Sequence, residues 1–199
     1  LSFRRVSDEL GTTHWYLKLL RDSGAAAERL ARVLSSSRFV AEALLRSPES
    51  IRWLDDDAEL TARGADRLRG EAEAVLDRTP DVAEAATLLR ALRRREMSRT
   101  AVAEVLALRT APETSRALSD VADVVVDAAL RLAEREVAAD PNDGGELQTR
   151  MCVVAMGRFG GREMGYGSDA DVMFVHDPLP GADETRAQSQ AVAIATRLR

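Results

Sequence analysis

The chain has 199 residues, 45% of them hydrophobic and 4% aromatic, enough for a core built mostly of Ala, Leu and Val in one large domain or two smaller ones. A net charge of -5 and a pI near 5.2 argue against a nucleic-acid partner held by broad attraction to phosphates. No apolar run approaches a membrane span, the N-terminus is not a signal peptide, and the single cysteine, Cys152, excludes a disulfide framework, so a reducing cytoplasm is the expected compartment. Leu1 is not a natural start residue and Arg199 ends inside a helical pattern, so a piece of a longer protein is expected.

In chain order, the first 139 residues read as helices. Ser7 to Leu20 leads into Trp15 and Tyr16, two anchors for a first helix that Asp22-Ser23-Gly24 breaks. Ala27, Leu30, Ala31, Val33 and Leu34 give a short amphipathic helix, and any of Ser35, Ser36 and Ser37 can cap the next one, which carries Phe39, Val40, Ala43, Leu44 and Leu45. Ser47-Pro48 predicts a restart with Ser as cap and Pro at the first helical position. Asp55-Asp56-Asp57 reads as a loop or cap rather than a metal site, because nothing nearby is glycine-rich or bears histidine.

Ala62 to Leu76 is a helix of mixed charge, and Ala83 to Leu108 is one long helix with Leu88, Leu89, Leu92, Met97, Val102, Val105 and Leu106 on its apolar side. The Arg93-Arg94-Arg95-Glu96 run within it reads as a solvated face with internal ion pairs, since residues 100° apart cannot all face one phosphate. Thr110 and Glu113 match a capping box, and the helix that follows runs to Val137. Asp123-Val-Val-Val-Asp127 has strand propensity, but the flanking periodicity favours helix. Asp140-Pro-Asn-Asp-Gly-Gly145 consists of turn formers and marks the boundary. The expected organisation is therefore a helical domain over 1–139, a linker over 140–147 and an α/β segment over 148–199.

After that boundary the pattern becomes strand, loop, strand, helix. Met151 to Met156 is an apolar run expected to be a buried strand, with Cys152 packed in it. Gly157, Gly160, Gly161, Gly165 and Gly167 make a glycine-rich loop, able to bring backbone N–H groups close to a phosphate. Ser168-Asp169-Ala170-Asp171 then enters the apolar run Val172 to Val175. With a strand beginning near Ser168, Asp169 and Asp171 would share a face. Two adjacent carboxylates repel unless a cation lies between them, and Mg²⁺ takes such hard oxygen ligands together with substrate phosphates. Asp177 is expected beyond the strand as a turn residue, and Asp183 to Arg199 is a helix.

Three readings fit this stretch unequally. A dinucleotide fingerprint starting at Gly157 would need glycines at 159 and 162, where Phe159 and Arg162 stand. Turns and a capping aspartate account for either feature alone, but not for the glycine pair, the Gly-Ser and the two aspartates together. Nucleotidyl transfer requires all of them: a cradle for the triphosphate, from Ser168 and loop N–H groups, and carboxylates for metal ions. A third carboxylate from a later strand is usual in such sites, and none is identifiable, so it is expected after Arg199.

Gly-Ser-Asp-Ala-Asp at 167–171 resembles the nucleotidyltransferase superfamily that includes the palm of DNA polymerase beta. The longer run from Met156 to Val175 is similar to the signature of the bifunctional glutamine synthetase adenylyltransferase and adenylyl-removing enzymes. Leu19 to Ser23, Ser36 to Val40, Leu92 to Met97 and Leu118 to Asp123 resemble the helical region preceding that catalytic core, so the likeness covers the whole chain. The Leu-Leu-Arg-Asp opening and the Gly-Tyr-Gly-Ser-Asp-Ala-Asp form resemble more the C-terminal, adenylylating module of actinobacterial members; phosphorolytic removal of AMP from glutamine synthetase, the work of the N-terminal module, is the alternative, since both modules carry the same kind of signature.

The resemblance implies a mainly α-helical N-terminal region followed by the start of an α/β nucleotidyltransferase palm with a mixed, truncated sheet. It implies catalytic and Mg²⁺-binding roles for Asp169 and Asp171, and binding of the ATP triphosphate by Gly157, Gly160, Gly161, Gly167 and Ser168. The acceptor would be a tyrosine hydroxyl of glutamine synthetase, with the PII signalling protein and glutamine as regulators. Arg158 and Arg162 have no implied role beyond phosphate contact. Without the third carboxylate, the 199 residues alone are expected to be inactive. A helical docking platform without catalysis is the rival reading, which binding without turnover would favour.

Overall fold

The computed structural model describes residues 4, 6, 8, 10–140 and 145–198. Two compact units emerge, each discontinuous in sequence: one combines residues up to Arg63 with Arg95–Ala117, the other Gly64–Arg94 with residues from Leu118 onward.

In the first unit, α1 (His14–Asp22), α2 (Gly24–Ser36) and α3 (Arg38–Arg46) are separated by single serines that act as caps. The Ser23 hydroxyl accepts from the Ala26 N–H at 3.1 Å and the Ser37 hydroxyl from that of Val40 at 3.2 Å, each satisfying an orphan donor of a helical first turn. Tyr16, Leu30, Val33, Val40, Leu44, Ile51 and Leu54 are buried. Ser47 departs from expectation. Pro48 does occupy the first position, but the segment it opens, Pro48–Asp55, is a 3₁₀ helix, and the Ser47 side chain makes no capping bond. Asp56 caps α4 (Asp57–Leu60) through the Ala58 N–H at 2.8 Å, the cap expected of this acidic run, and Asp57 in addition pairs with Arg29.

The unit also contains a buried charge pair. Glu96 and Arg99 are each 2% exposed, with Arg99 Nε 3.2 Å from Glu96 Oε2. The Arg99 guanidinium stacks 4.2 Å over the Trp53 ring and approaches Glu59 at 3.5 Å. The expected solvated arginine face therefore holds for the exposed Arg93 and Arg94 but not for Glu96.

In the second unit, α5 (Ala65–Arg78) supplies Leu68, Ala72 and Leu76 to a cluster with Ala85, Leu89 and Leu92 of α6 (Val82–Val105) and Val121, Val124, Ala128 and Leu132 of α7 (Ala111–Ala139). Leu88, expected on the apolar side of α6, is 39% exposed. Residues 123–127 are helical, within α7. Arg135 of α7 donates to the Leu76 and Thr79 carbonyls at 2.9 and 3.2 Å, closing the C-terminal end of α5. Of the expected linker, residues 141–144 lie outside the described residues.

Two strands, β1 (Thr149–Ala155) and β2 (Val172–Pro178), pair antiparallel, with Met151 opposite His176, Val153 opposite Phe174 and Ala155 opposite Val172. One sheet face, with Met151 and Val153, packs on Leu130, Ala133 and Val137 of α7 and Ile194 of α9 (Glu184–Leu198). The buried Gln190 of α9 accepts from the Gln148 N–H at 2.7 Å and so holds the start of β1. Asp183 caps α9 through the N–H groups of Thr185 and Arg186. The strand expected to be buried is not: Cys152, Met173 and Val175 point to the opposite face and are exposed. Asp177 also departs from expectation, since it lies within β2 and pairs with its cross-strand partner Arg150 at 2.7 Å. Among the described residues no helix is long and apolar enough to cross a membrane.

Candidate active site

The loop 156–171 joins the two strands at one end of the sheet. Its first residues form a single helical turn, α8 (Gly157–Gly160), tied to the sheet by the backbone: the Met156 N–H donates to the Asp171 carbonyl and the Gly160 N–H to that of Met156, both at 2.8 Å. Gly157 has φ +51°, a left-handed conformation that costs any other residue about 1–2 kcal/mol. A Cβ on it would stand 2.8 Å from Oδ2 of Asp171. Gly160 is required for another reason. A Cβ there would come within 2.5 Å of the Ala155 carbonyl oxygen, so the turn could not close against β1.

The remaining expected residues fall into two groups. The N–H groups of Gly160, Gly161, Gly165 and Ser168 are all engaged inside the loop, with Met156 O, Gly157 O, Ser168 Oγ and Gly165 O respectively. Among the described residues no hydrogen bond engages the N–H of Gly157 or Gly167, and around Gly167 the space is open. The N–H groups of Gly160 and Gly161 are therefore taken up by the turn itself, and those of Gly157 and Gly167 are not.

Asp169 and Asp171 do not lie in a strand. The ladder begins at Val172, so the alternation that would put both carboxylates on one face does not operate at these positions. They are neighbours on the exposed stretch that enters β2, with Asp171 fixed by its carbonyl bond from Met156 and lodged against Gly157. Neither carboxylate has a hydrogen-bond or ion-pair partner among the described residues. No group of three or more His, Cys, Asp or Glu side chains suited to a metal occurs among those residues either.

The far side of the loop is held by Phe159, Arg162 and Met164, together with Ser119 and Asp120 of α7, none of which the sequence assigned a structural role there. Phe159 and Met164 are buried. The Met164 N–H donates to Ser119 Oγ at 3.4 Å, and the Arg162 guanidinium pairs with the Asp120 carboxylate. Arg162 has φ +58°, a left-handed conformation uncommon outside glycine.

A strand, a glycine turn that packs a carboxylate against a residue without a Cβ, and a second aspartate two positions away, unpartnered among the described residues, make up the loop. The model of the glutamate-ammonia ligase adenylyltransferase family matches residues 27–199. The chain belongs to this family. It is 48% identical to the bifunctional glutamine synthetase adenylyltransferase/adenylyl-removing enzyme of Leifsonia xyli, over 100% of this chain and 19% of that protein. To the proteins of the same description from Streptomyces coelicolor and Corynebacterium efficiens it is 42% and 39% identical, over 21% and 19% of their lengths. The chain thus spans about a fifth of the length of the curated relatives it matches. Membership of this glutamate-ammonia ligase adenylyltransferase family agrees with the resemblance carried by Met156–Val175, and the relatives are actinobacterial, as that resemblance implied.

Proposed function

We propose that this chain belongs to an enzyme that transfers AMP from ATP to a tyrosine hydroxyl of glutamine synthetase, and that loop 156–171 with Asp169 and Asp171 is its nucleotide site. The observation that carries this reading is the Asp171 carboxylate in the space beside Gly157, two positions from Asp169, with neither acid paired to a group among the described residues. The donor set fits Mg²⁺, a hard cation that takes carboxylate oxygens and fills its remaining positions with water and phosphate. When bound, the metal would offset the charge of the triphosphate and of the transition state.

The chain's own groups do the positioning. The backbone bonds of Met156 and Gly160 fix where the Asp171 carboxylate stands. Gly157 and Gly167 let a phosphate approach the backbone closely, and the Ser168 hydroxyl can donate to a phosphate oxygen while it accepts from the Gly165 N–H. In the transfer, the acceptor hydroxyl releases its proton to solvent as its oxygen bonds to the α-phosphorus, the bond from that phosphorus to the oxygen bridging to the β-phosphate breaks, and pyrophosphate leaves. Glutamine synthetase and ATP are the partners of this reading, the cytoplasm is its setting, and the PII signalling protein enters as a regulator through the family resemblance alone.

The test uses the full-length parent protein, ATP labelled at the α-phosphate, Mg²⁺ and glutamine synthetase from the same organism. Label should pass to the synthetase and vanish in the Asp169→Asn, Asp171→Asn double variant. Transfer that survives that variant would assign addition to another module and make this one the candidate for AMP removal. No transfer to glutamine synthetase under any condition would sink the proposal.

A further inference from the structure

The glycine loop is fixed at both ends. On the sheet side, Met156 and Gly160 bond through the backbone. On the other side, helix α7 takes hold at two successive residues: Ser119, which is fully buried and accepts from the Met164 N–H, and Asp120, which pairs with Arg162. Asp120 is partly sheltered, its side chain 26% exposed against 50% for Arg162. The Arg162 backbone is held left-handed, where glycine would be the relaxed choice, although glycines occupy the two preceding positions. A side chain kept at such a position needs surroundings that over-determine it. The ion pair to α7, together with the buried Phe159 and Met164 on either side, supplies them.

We infer that Asp120 is a positioning residue for the nucleotide site: it anchors the glycine loop through Arg162, so that the ATP-facing positions 157, 167 and 168 are held in their binding geometry before the nucleotide arrives. This inference rests on the function proposed above. The geometry also assigns Arg162 a structural partner in place of the phosphate that its location in the loop suggests.

The two roles for Arg162 predict opposite results. If Arg162 were a phosphate ligand restrained by Asp120, removing Asp120 would free it and tighten ATP binding. If the pair positions the loop, removing either partner loosens the site. The experiment measures Mg·ATP affinity by titration calorimetry on the full-length parent protein, beside KM and kcat for AMP transfer and the thermal unfolding midpoint. The variants are Asp120→Ala, Asp120→Glu, Arg162→Gly and the Asp120→Ala, Arg162→Gly double.

Each Ala or Gly variant should weaken ATP binding about tenfold, since small misplacement of binding groups is costly. KM should rise more than kcat falls, with the unfolding midpoint little changed. Asp120→Glu should recover most of the affinity, and the double variant should be no worse than either single one, as expected for two ends of one interaction. Tighter ATP binding in Asp120→Ala, additive losses in the double variant, or losses that track the unfolding midpoint without rescue by Glu would overturn the inference. Equal affinity in wild type and variants would overturn it alone, whereas a wild-type protein that binds no ATP would overturn the nucleotide-site reading with it.

Discussion

The Asp171 carboxylate occupies the space that a side chain at Gly157 would need, with Oδ2 2.8 Å from where a Cβ would stand. The acid is thereby placed by the absence of a side chain on its neighbour. Gly157→Ala should combine two penalties: a left-handed backbone costing about 1–2 kcal/mol and a contact that only movement of Asp171 can relieve. AMP transfer should fall far more than stability does, as measured by labelled transfer beside chemical denaturation. Transfer at the wild-type rate would show that the position of this carboxylate is not critical.

Gly160 and Gly167 should separate fold from ligand. A Cβ at 160 meets the Ala155 carbonyl, which is backbone and cannot swing aside, so Gly160→Ala should destabilise by about 2–3 kcal/mol, in the range of overpacking. A Cβ at 167 meets nothing within 4 Å, so Gly167→Ala should stay within about 0.5 kcal/mol of wild type. Any loss of ATP affinity in that variant then comes from the nucleotide itself. Denaturation midpoints and ATP titration of the two proteins, compared side by side, decide the assignment. Unchanged ATP affinity in Gly167→Ala would remove that glycine from the site.

Much of this arrangement was legible because it is local. Ser37, one of three serines read as cap candidates, does cap the helix beside it, Ser23 lies in the break read there, and Thr110 donates its N–H to the Glu113 carboxylate at 2.8 Å as the spacing predicts, although its hydroxyl turns to the same oxygen. The glycine loop following an apolar strand was likewise visible. What failed depended on register or on distant partners. The period-two rule holds only inside a ladder, and the ladder pairing starts at Val172, one residue after Asp171. Burial of β1 was read from composition, but composition cannot say how much of each sheet face neighbouring elements cover, and Cys152 lies on the exposed one. No role for Arg162 beyond phosphate contact was legible, because Asp120, its ion-pair partner, is remote in sequence.

The same limit hid the Glu96–Arg99 pair, which the run of arginines disguised as surface. Burial lowers the Arg99 pKa from its ordinary value, with Glu96 opposing the shift. Arg99→Met should cost about 3 kcal/mol, because among the described residues it leaves the buried Glu96 only Arg95, at 2.6 Å, to pair with. Adding Glu96→Gln should recover part of that loss, since the charge left behind is then gone. Urea denaturation of the two variants checks both signs. A double variant less stable than Arg99→Met would show that the hydrogen bonds of Glu96 matter more than its charge.

Glu134 of α7 gives the clearest pH signature. Burial, and then repulsion from Asp127, raise its pKa above the ordinary carboxylate value of 4.5, with Arg131 acting in the opposite direction. An acid whose pKa is raised on folding binds its proton more tightly in the native state than in the unfolded chain. Between the unfolded and folded pKa values the native protein therefore holds more protons, and stability falls as pH rises through that window. Above the window the ionised side chain is a standing cost, and below it the cost disappears. Glu134→Gln, which cannot ionise, should thus melt higher than wild type at pH 7. The gap should close as pH falls below about 4, where both proteins carry a neutral group at 134. Melting curves across pH 4 to 7 measure it, and a gap that stays constant over that range would mean that the amide stabilises by its hydrogen bonds and not by removing a buried charge.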